Sequence, residues 1–431
     1  MRPVESVKVN IREIASGGSG VGEVIDGEKE LLGITAFVPF TIRGEQVSAK
    51  VGEKKERFVR TELDVVETSS VERVEPPCSV YGRCGGCELQ HMSYEEQLDA
   101  KQSMILGALR TRRLSESELS KVSPIEPSSP FNYRRRVNLH VSHEGKIGFY
   151  KAKSRVVVPI SSCEISDLAI NQVLESCQNL APAISGKISS IVLESDREGV
   201  VAQLKARVQL SETEIESILK ASKDCFSDAT LVSATKELGG YGRKILELTV
   251  LGTTRIGVPL GEFSQVNSEV NQKMVDFVVR SANLTKGDRV HDLYSGAGNF
   301  SIPLAKAGAK LVAVECSEQL TSFCSRNAEK YKVSDRVEVV DQSVEKFLKN
   351  RNEKEEVELV VVDPPRSGLN LIAKELSYAK RLILISCQLA SFARDLRILL
   401  DEGWELEEVK PFDMFAQTSH LEIVGVLNRS S

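Results

Sequence analysis

The sequence predicts a multidomain α/β protein, and three patterns along the chain predict it. Residues 1–70 contain short alternating runs separated by glycine-rich turns, which indicates a small β-barrel. Residues 71–260 mix strand-like runs with one long helical pattern, as expected of a central α+β domain. Residues 261–431 alternate apolar strands with helical segments, the pattern of a parallel sheet covered by helices on both faces.

Five runs in the first region predict the strands of the barrel: VKVNIREI, GEVIDG, ITAFVPF, EQVSAKV and FVRTELDVVE. The segment SGGSGVG lies between the first two. It is not a phosphate-binding loop, because no Gly-Lys-Ser/Thr follows it. We therefore expect a hairpin there.

The composition and the amino-terminal sequence predict the cellular compartment of the protein. No run approaches the ~20 apolar residues needed to span a bilayer, and MRPVESVKVN lacks the apolar core of a signal peptide. We expect a cytoplasmic protein with no membrane association. In that compartment nine cysteines are not expected to form a disulfide framework, so clustered ones indicate metal ligands or catalysts.

The charge of −5 is unevenly distributed. The segment 101–155 contains 12 Lys or Arg and 4 Glu, a net +8, which leaves −13 for the rest of the chain. Its centre is FNYRRRVNLHV, which combines Arg134, Arg135 and Arg136 with two aromatic residues. Arginine binds phosphate and aromatic faces stack on bases. We expect a track for RNA or DNA, the alternative being a solvated charged face.

Three of the cysteines are closely spaced. Cys78, Cys84 and Cys87 form a C-x5-C-x2-C motif, and Cys163 follows far downstream in PISSCEIS. Four thiolates can bind either zinc or an iron–sulfur cluster, and spacing alone leaves both open.

In the last region the strands are predicted in DRVHDLY, KLVAVEC, RVEVVD, ELVVVDPP and RLILISC. The first runs into a glycine turn, SGAG. A dinucleotide fingerprint, G-x-G-x-x-G, would have a third glycine three residues after this turn, where the sequence has Ser301. Asp292, Glu315 and Asp363 lie near strand ends. An acidic pocket that has no basic residue to bind a phosphate suits S-adenosylmethionine, which carries a sulfonium and an ammonium group.

A cysteine follows the strand RLILIS. Taken alone, Cys387 is most simply a small buried hydrophobe. Methylation of uracil carbon 5, however, needs a thiolate that adds to carbon 6 and a base that later removes the carbon 5 proton. Cys387 and Glu422 can supply these groups, although Glu422 alone could be an exposed residue of an edge strand.

These motifs together resemble those of the RNA uridine-C5 methyltransferases. The resemblance rests on DLYSGAGNFSIPLA, VVVDPPRSGL, SCQLASFARDL and DMFAQTSHLEIV, and on PPCSVYGRCGGCELQHMSYEEQLDAK, which is similar to the iron–sulfur branch. It extends over essentially the whole chain. It implies an amino-terminal TRAM (OB-like) barrel that binds RNA, and a Rossmann-like class I methyltransferase domain.

The resemblance also implies roles for single residues. Cys387 is the nucleophile and Glu422 the proton acceptor. The S-adenosylmethionine site comprises Gln265, Tyr294, Asn299, Glu315, Gln342 and Asp363. The ligands of a [4Fe–4S] cluster, with zinc as the alternative, are Cys78, Cys84, Cys87 and Cys163.

The sequence departs from the family pattern at three places. Gln388-Leu389 stands where the family has Asn-Pro, Ala416 where it has Pro, and Gln342 where it often has Asn or Asp. The first departure affects the surroundings of the nucleophile, and the second affects a loop.

Two other classes of protein share some of these features. Radical methylthiotransferases also combine an iron–sulfur site with a TRAM-like barrel, but they need C-x3-C-x2-C and an open iron. An RNA-binding protein with a decayed catalytic centre is the second alternative. We expect a monomeric enzyme acting on 23S rRNA, with transfer RNA as the alternative substrate.

Overall fold

The protein, described by a computed structural model over residues 6–234, 236–352 and 356–429, divides into two compact units. One consists of the described part of residues 1–107 with Phe149–Val158 and Phe415–His420. The other consists of Ala108–Gly148, Pro159–Met414 and the described residues from Leu421 onward. The three-domain division at about residues 70 and 260 partitions the chain differently and stays a prediction.

The first unit begins with a closed five-stranded barrel, which confirms the predicted barrel. Along the first strand Val7, Val9 and Ile11 point inward and alternate with more exposed residues, as expected of a strand with one buried face. Neighbouring strands are antiparallel except for one parallel pair that closes the barrel. In order around the barrel, β1-β2-β3-β5-β4, the strands are β1 (Ser6–Ile14), β2 (Gly20–Asp26), β3 (Thr35–Val38), β4 (Gln46–Lys54) and β5 (Phe58–Thr68).

The middle of the chain contains a mixed seven-stranded sheet and a separate hairpin. The helical pattern in SYEEQLDAKQSMILGALRTRRL is confirmed as α1 (Tyr94–Thr111), and the short α2 (Glu116–Leu119) follows it. The sheet has the order β12-β11-β10-β9-β6-β7-β8. Its strands and the helices between them are β6 (Arg136–Val141), β7 (Ile147–Tyr150), β8 (Val157–Pro159), α3 (Leu168–Cys177), α4 (Ala181–Ile184), β9 (Ile188–Asp196), β10 (Gly199–Ala206), α5 (Glu212–Ser222), β11 (Asp228–Ser233) and β12 (Lys236–Tyr241). The hairpin consists of β13 (Ile245–Leu251) and β14 (Thr254–Pro259).

The carboxyl-terminal region forms the predicted α/β domain. Its elements are α6 (Ser268–Ser281), β15 (Arg289–Leu293), α7 (Ser301–Lys306), β16 (Lys310–Glu315), α8 (Glu318–Lys330), β17 (Val337–Asp341), α9 (Val344–Asn350), β18 (Val357–Val362), β19 (Ala379–Ser386), α10 (Leu389–Asp401), β20 (Trp404–Phe412) and β21 (Glu422–Arg429). All five predicted strands are present. The residues of β18 are almost all buried, as expected of a central parallel strand covered on both faces.

The order of this second seven-stranded sheet is β17-β16-β15-β18-β19-β21-β20. Strands β15 to β19 are parallel, and β21 is inserted antiparallel to its two neighbours. The order reverses between β15 and β18, and open α/β sheets bind ligands beyond the carboxyl ends of the strands at such a switch point. In the part of the chain that the structure describes, no helix combines the length and apolarity needed to cross a membrane.

Candidate active site

The switch point carries a pocket. Tyr294 follows β15 and Asp363 follows β18, and the Asp363 backbone N–H donates to the Leu293 carbonyl at 3.3 Å. Gln265, Tyr294, Asn299 and Asp363 all line this pocket, so the structure brings together four of the six residues expected to bind the cofactor. Hydrophobic side chains of β13 and β14 form another part of its wall.

Glu315, at the end of β16, is held rigidly behind the glycine turn. Its Oε2 accepts from the Gly296 N–H at 3.2 Å, and its Oε1 accepts from the N–H groups of Cys316 and Ser317 at 2.7 and 2.9 Å. Gly296 and Gly298 have φ of 56° and 96°, which disfavours any side chain. Three backbone N–H groups therefore fix the Glu315 carboxylate beside Gly296, which lines the pocket.

Gln342 has a weaker connection to the pocket. Its backbone N–H donates to the Glu315 carbonyl at 3.1 Å, which places it after β17 and beside the end of β16. Its side chain is not among those that line the pocket in the described structure. Its role toward the cofactor stays a prediction.

Asn299 is positioned by a residue that sequence reasoning missed. The amides of Asn299 and Asn271 exchange two hydrogen bonds, of 2.9 and 3.1 Å, and Asn271 lies on α6. Asn271 is buried and lines the pocket as well. The signal for it was the asparagine pair in QVNSEVNQ, which has no meaning until α6 packs against the glycine turn.

Asp363 lines the pocket, and a second buried carboxyl, Asp292, is close enough for the charge of Asp363 to act on it. Burial, with the opposing hydrogen bond from Ser301, raises the pKa of Asp292 to about 7. Burial likewise raises the pKa of Asp363 to about 7. Asp292 Oδ1 and the hydroxyls of Ser264 and Ser295 are buried without hydrogen-bond partners among the described residues. Unpaired buried acceptors and donors of this kind fit a polar cationic ligand.

Cys387 and Glu422 face each other across two strands. The antiparallel register pairs Ser386 at the end of β19 with Ile423 in β21. Cys387 directly follows the last paired residue of β19 and Glu422 directly precedes Ile423 in β21, and the charge of Glu422 acts on the Cys387 thiol. The sequence alone could not show this, because 34 residues separate them.

The surroundings of this pair are electrostatically unusual. Burial, followed by the charges of Glu422 and Asp363, raises the pKa of Cys387 to about 11, and the Arg366 guanidinium opposes this shift. Burial and the charge of Asp363 raise the pKa of Glu422 well above its ordinary value, again opposed by Arg366. Glu422 Oε2 has no hydrogen-bond partner within the described ranges. Arg366, which the sequence analysis used only to disfavour amine methylation, is therefore part of the site.

The loop 363–370 that carries Asp363 and Arg366 is held by α10. Ser391 Oγ donates to the Arg366 carbonyl at 2.8 Å, and Asp395 accepts from the N–H groups of Leu369 and Asn370 at 2.6 and 3.2 Å. Leu389 occupies the first position of α10, where proline would be favoured, and the helix forms without it. The departure from Asn-Pro thus leaves the strand–turn–helix around Cys387 intact.

The arginine triplet has a different setting from the predicted phosphate track. Arg135 is 6% exposed, and its Nε donates to the Gln265 carbonyl at 2.8 Å. Arg136 donates to the carbonyls of Gly261 and Glu262. Both guanidinium groups therefore hold the loop that leads to Gln265, with Arg135 buried and Arg136 23% exposed. Binding of RNA by Arg134, Arg135 and Arg136 stays a prediction.

The cysteine motif lies in the irregular segment between β5 and α1. Cys78, Cys84 and Cys87 are half-buried, and Gly85 anchors the segment by donating to the Tyr150 carbonyl at 2.9 Å. Among the described residues there is no group of three or more His, Cys, Asp or Glu side chains arranged to hold a metal ion. In the other unit, Asn171 pins the backbone of Cys163 through bonds of 2.9 and 3.0 Å.

Comparison with known proteins supports one family. Residues 258–430 match the model of the tRNA (Uracil-5-)-methyltransferase family. The chain is 30% identical to a 23S rRNA (uracil(1939)-C(5))-methyltransferase of Shewanella piezotolerans, covering 91% of each chain. It is 29% identical to the enzyme of the same name from Shewanella woodyi, covering 92% of each.

A solved structure has a similar fold. The tRNA (uracil-54, C5)-methyltransferase of Pyrococcus abyssi, determined in complex with S-adenosyl-L-homocysteine, matches with a TM-score of 0.72 and 22% identity. The match covers 99% of this chain and all of the other. At that level of identity the likeness describes the fold, including the barrel and the Rossmann-like domain.

Proposed function

The chain belongs to the RNA (uracil-5-)-methyltransferase family, and from this premise we propose that Cys387 attacks a uridine of 23S rRNA. The enzyme is S-adenosylmethionine-dependent and methylates carbon 5 of uracil in RNA. The observation that carries the proposed mechanism is that Cys387 and Glu422 each adjoin the paired residues Ser386 and Ile423, with the charges of Glu422 and Asp363 acting on the thiol. Two relatives named for 23S rRNA support that substrate, and the family model and the Pyrococcus relative support transfer RNA as the second candidate.

Cys387 performs the first step. Its thiolate adds to carbon 6 of uracil, forming a C–S bond and making carbon 5 nucleophilic. When bound, S-adenosylmethionine supplies the electrophilic methyl group that carbon 5 takes. Since the thiol is largely protonated at neutral pH without ligands, the Arg366 cation is the group of this chain that favours the thiolate.

Glu422 performs the last step. As a carboxylate it accepts the proton from carbon 5, after which the bond from carbon 6 to Sγ breaks and the thiolate is released. Burial raises the pKa of Glu422, and a carboxylate with a raised pKa is the stronger base. The unpaired Oε2 leaves an acceptor for that proton.

The cofactor residues follow from the same proposal. Gln265, Tyr294, Asn299, Glu315, Gln342 and Asp363 would hold S-adenosylmethionine. The pocket fits the group because the Asp363 carboxylate in its lining complements a cationic group of the cofactor, and because Glu315 lies at a strand end that commonly binds ribose hydroxyls.

Replacement of the nucleophile tests the mechanism. Cys387→Ala should abolish methyl transfer to RNA while leaving the affinity for S-adenosylhomocysteine within about twofold, since Cys387 does not line the cofactor pocket. Methyl transfer is measured with a radiolabelled methyl donor and affinity by calorimetry. Cys225→Ala, at a half-buried cysteine of the same unit, is the control and should remain active. Substantial turnover by Cys387→Ala would remove this residue from the mechanism.

Replacement of the base should stop the reaction later. Glu422→Gln should permit addition and methylation but stall elimination, because no carboxylate removes the carbon 5 proton. A covalent protein–RNA adduct should then accumulate and be visible on a denaturing gel. Cys387→Ala in the same background should show no adduct. Normal turnover of Glu422→Gln without an adduct would refute this role.

We also propose that Cys78, Cys84, Cys87 and Cys163 hold a [4Fe–4S] cluster, with zinc as the alternative. The support is the motif and its family resemblance: all four cysteines are half-buried and none is in a disulfide in the described chain. Anaerobically purified protein should be brown and contain about four irons per chain. One zinc and no visible absorption would establish the alternative, and no metal at all would contradict both. Cys225→Ser, outside the motif, should leave the metal content unchanged.

The remaining parts of the proposal concern the protein's surroundings. We propose that the barrel, as a TRAM domain, contributes to RNA binding, and that the enzyme acts as a cytoplasmic monomer. These statements rest on the resemblance. Sedimentation with and without RNA tests the oligomeric state.

A further inference from the structure

The Arg135 guanidinium is buried in the pocket wall, and two of its three nitrogen atoms make no hydrogen bond among the described residues. Its side chain is 6% exposed and lines the same pocket as Gln265, Asn299 and Asp363. Nε is satisfied by the Gln265 carbonyl at 2.8 Å, whereas both Nη atoms find no hydrogen-bond partner in the described ranges. Leaving the donors of a buried charged group unpaired costs several kcal/mol in general. The two Nη groups of Arg135 are therefore available to donate hydrogen bonds to a ligand.

Neighbouring carboxylates balance the charge of Arg135 without using these donors. Burial lowers the pKa of Arg135 to about 10, and Glu194, Asp167 and Asp196 oppose the shift, so the group stays protonated at neutral pH. Each of these carboxylates has another partner: Gly261 N–H for Glu194 Oε1 at 3.0 Å, Ile170 N–H for Asp167 at 2.8 Å, and the Arg243 guanidinium for Asp196. Glu194 Oε2 makes no hydrogen bond among the described residues and lies 3.8 Å from Arg136 Nη1.

The acceptor is identified by the chemistry of the pocket. Arg135 is the one Lys or Arg among the described residues that line it, and Asp363 is the one carboxylate among them. S-adenosylmethionine carries two cationic groups, whose charge the Asp363 carboxylate complements, and a single anion, its α-carboxylate. A guanidinium fork matches a carboxylate with two parallel hydrogen bonds.

We propose that Arg135 binds the α-carboxylate of S-adenosylmethionine through its two Nη groups. This inference rests on the proposed function, because it assumes that the pocket is the cofactor site. It assigns the residue a positioning role: by holding the amino-acid end of the cofactor, Arg135 fixes the methyl group relative to Asp363 and Cys387. The basic segment that the sequence suggested for phosphate would thus contribute a cofactor ligand.

The test removes the carboxylate from the ligand and the guanidinium from the protein, separately and together. Binding of S-adenosylhomocysteine and of its decarboxylated analogue is measured by isothermal titration calorimetry, a readout independent of activity. Wild-type protein should bind the analogue ~10- to 100-fold more weakly, as expected for loss of a charge-assisted hydrogen-bonded pair. Arg135→Met should weaken binding of S-adenosylhomocysteine by a similar factor and leave binding of the analogue nearly unchanged.

The chain offers a matched control next to this residue. Arg134 Nε donates to the Arg136 carbonyl, and the side chain is not among those lining the pocket in the described structure. Arg134→Met should therefore bind both ligands like wild type. Arg135→Lys keeps the charge but loses the fork, and should fall between wild type and Arg135→Met for S-adenosylhomocysteine.

The outcomes separate this inference from the proposed function. Equal affinity of wild-type protein for the two ligands would overturn it without any variant, even if Arg135→Met failed to fold. Equal weakening of both ligands by Arg135→Met would overturn it as well, since the effect would not involve the carboxylate. Loss of RNA affinity alone would reassign Arg135 to the substrate. Failure of wild-type protein to bind S-adenosylhomocysteine would instead contradict the cofactor site itself.

Discussion

Cys387 has one cation and two carboxylates among its neighbours, and they act on its thiol in opposite directions. Glu422 and Asp363 raise its pKa, together with burial, and Arg366 lowers it. A thiol with a pKa of about 11 is mostly protonated at neutral pH. Cationic cofactor bound beside Asp363 would shift the balance toward the thiolate, which couples nucleophile activation to cofactor binding.

This balance predicts the alkylation rate of Cys387. Glu422→Gln removes a negative charge and should speed reaction with iodoacetamide at pH 9, whereas Arg366→Met removes the positive charge and should slow it. Each change is expected to be roughly threefold to tenfold, equivalent to half to one unit of pKa. The rate is measured by mass spectrometry of the Cys387 peptide.

The same digest contains its own control. Cys316 is exposed, and its pKa is raised by burial and by Glu315, with neither Glu422 nor Arg366 among the causes. Its alkylation rate should be the same in both variants. If the Cys387 rate is equally insensitive to both substitutions, the electrostatic account of the site is incorrect.

At the scale of elements, the first residues of β6 act as a clamp on the loop that precedes α6. Arg135 and Arg136 donate to carbonyls of residues 261, 262 and 265, and the Arg135 N–H donates to the Val266 carbonyl at 2.9 Å. A basic triplet in sequence thus serves one loop of the cofactor pocket. Further candidates for phosphate contacts are the exposed basic residues of the same +8 segment, among which Arg112 and Arg113 directly follow α1.

We therefore predict that the salt dependence of RNA binding resides in these exposed residues. Replacing Arg112 and Arg113 with alanine should weaken binding and flatten the log–log salt slope by up to ~1.4 to 1.8, at ~0.7 to 0.9 for each lost contact. Filter binding or fluorescence anisotropy across salt concentrations measures it. Lys310→Ala is the control, because Lys310 is an exposed lysine at the first residue of β16, at the opposite end from the pocket. An unchanged slope in the double variant would exclude this surface.

At the scale of the whole molecule, two buried carboxyl groups make the stability of the protein depend on pH. Asp292 and Asp363 have a folded-state pKa of about 7 and an ordinary value of 3.8. Between these values the folded chain holds protons that the unfolded chain releases. The free energy of unfolding should therefore fall as pH rises from about 4 to about 7.

Asp292→Asn should make this decline shallower. Each such carboxyl contributes a slope of up to about 1.4 kcal/mol per pH unit, and asparagine can still accept the Ser301 hydrogen bond. Urea unfolding from pH 4.5 to 8 measures the slope. Asp401→Asn, on an exposed residue of α10, should follow the wild-type curve. Parallel curves for Asp292→Asn and wild type would show that the buried carboxyl is not responsible.

The sequence by itself determined the elements whose signals are local. Hydrophobic periodicity and turn-forming residues were sufficient to predict the five barrel strands, α1 and all five parallel strands. Both signals depend on only a few consecutive residues. The glycine turn, Glu315, Asp363 and Cys387 were found because strand ends in a parallel sheet meet at one edge. The family motifs supplied Glu422.

The tertiary structure decided the relations between distant residues. Only strand register sets Cys387 against Glu422, and only the packing of α6 brings Asn271 to Asn299. The loop 363–370 brings Arg366 to the nucleophile. Burial also depends on the tertiary structure: Arg135 belongs to a basic triplet in the sequence, but its side chain is buried in the pocket wall. The physical reason is that solvation and charge pairing are properties of the three-dimensional surroundings of a side chain, which its neighbours in sequence do not specify.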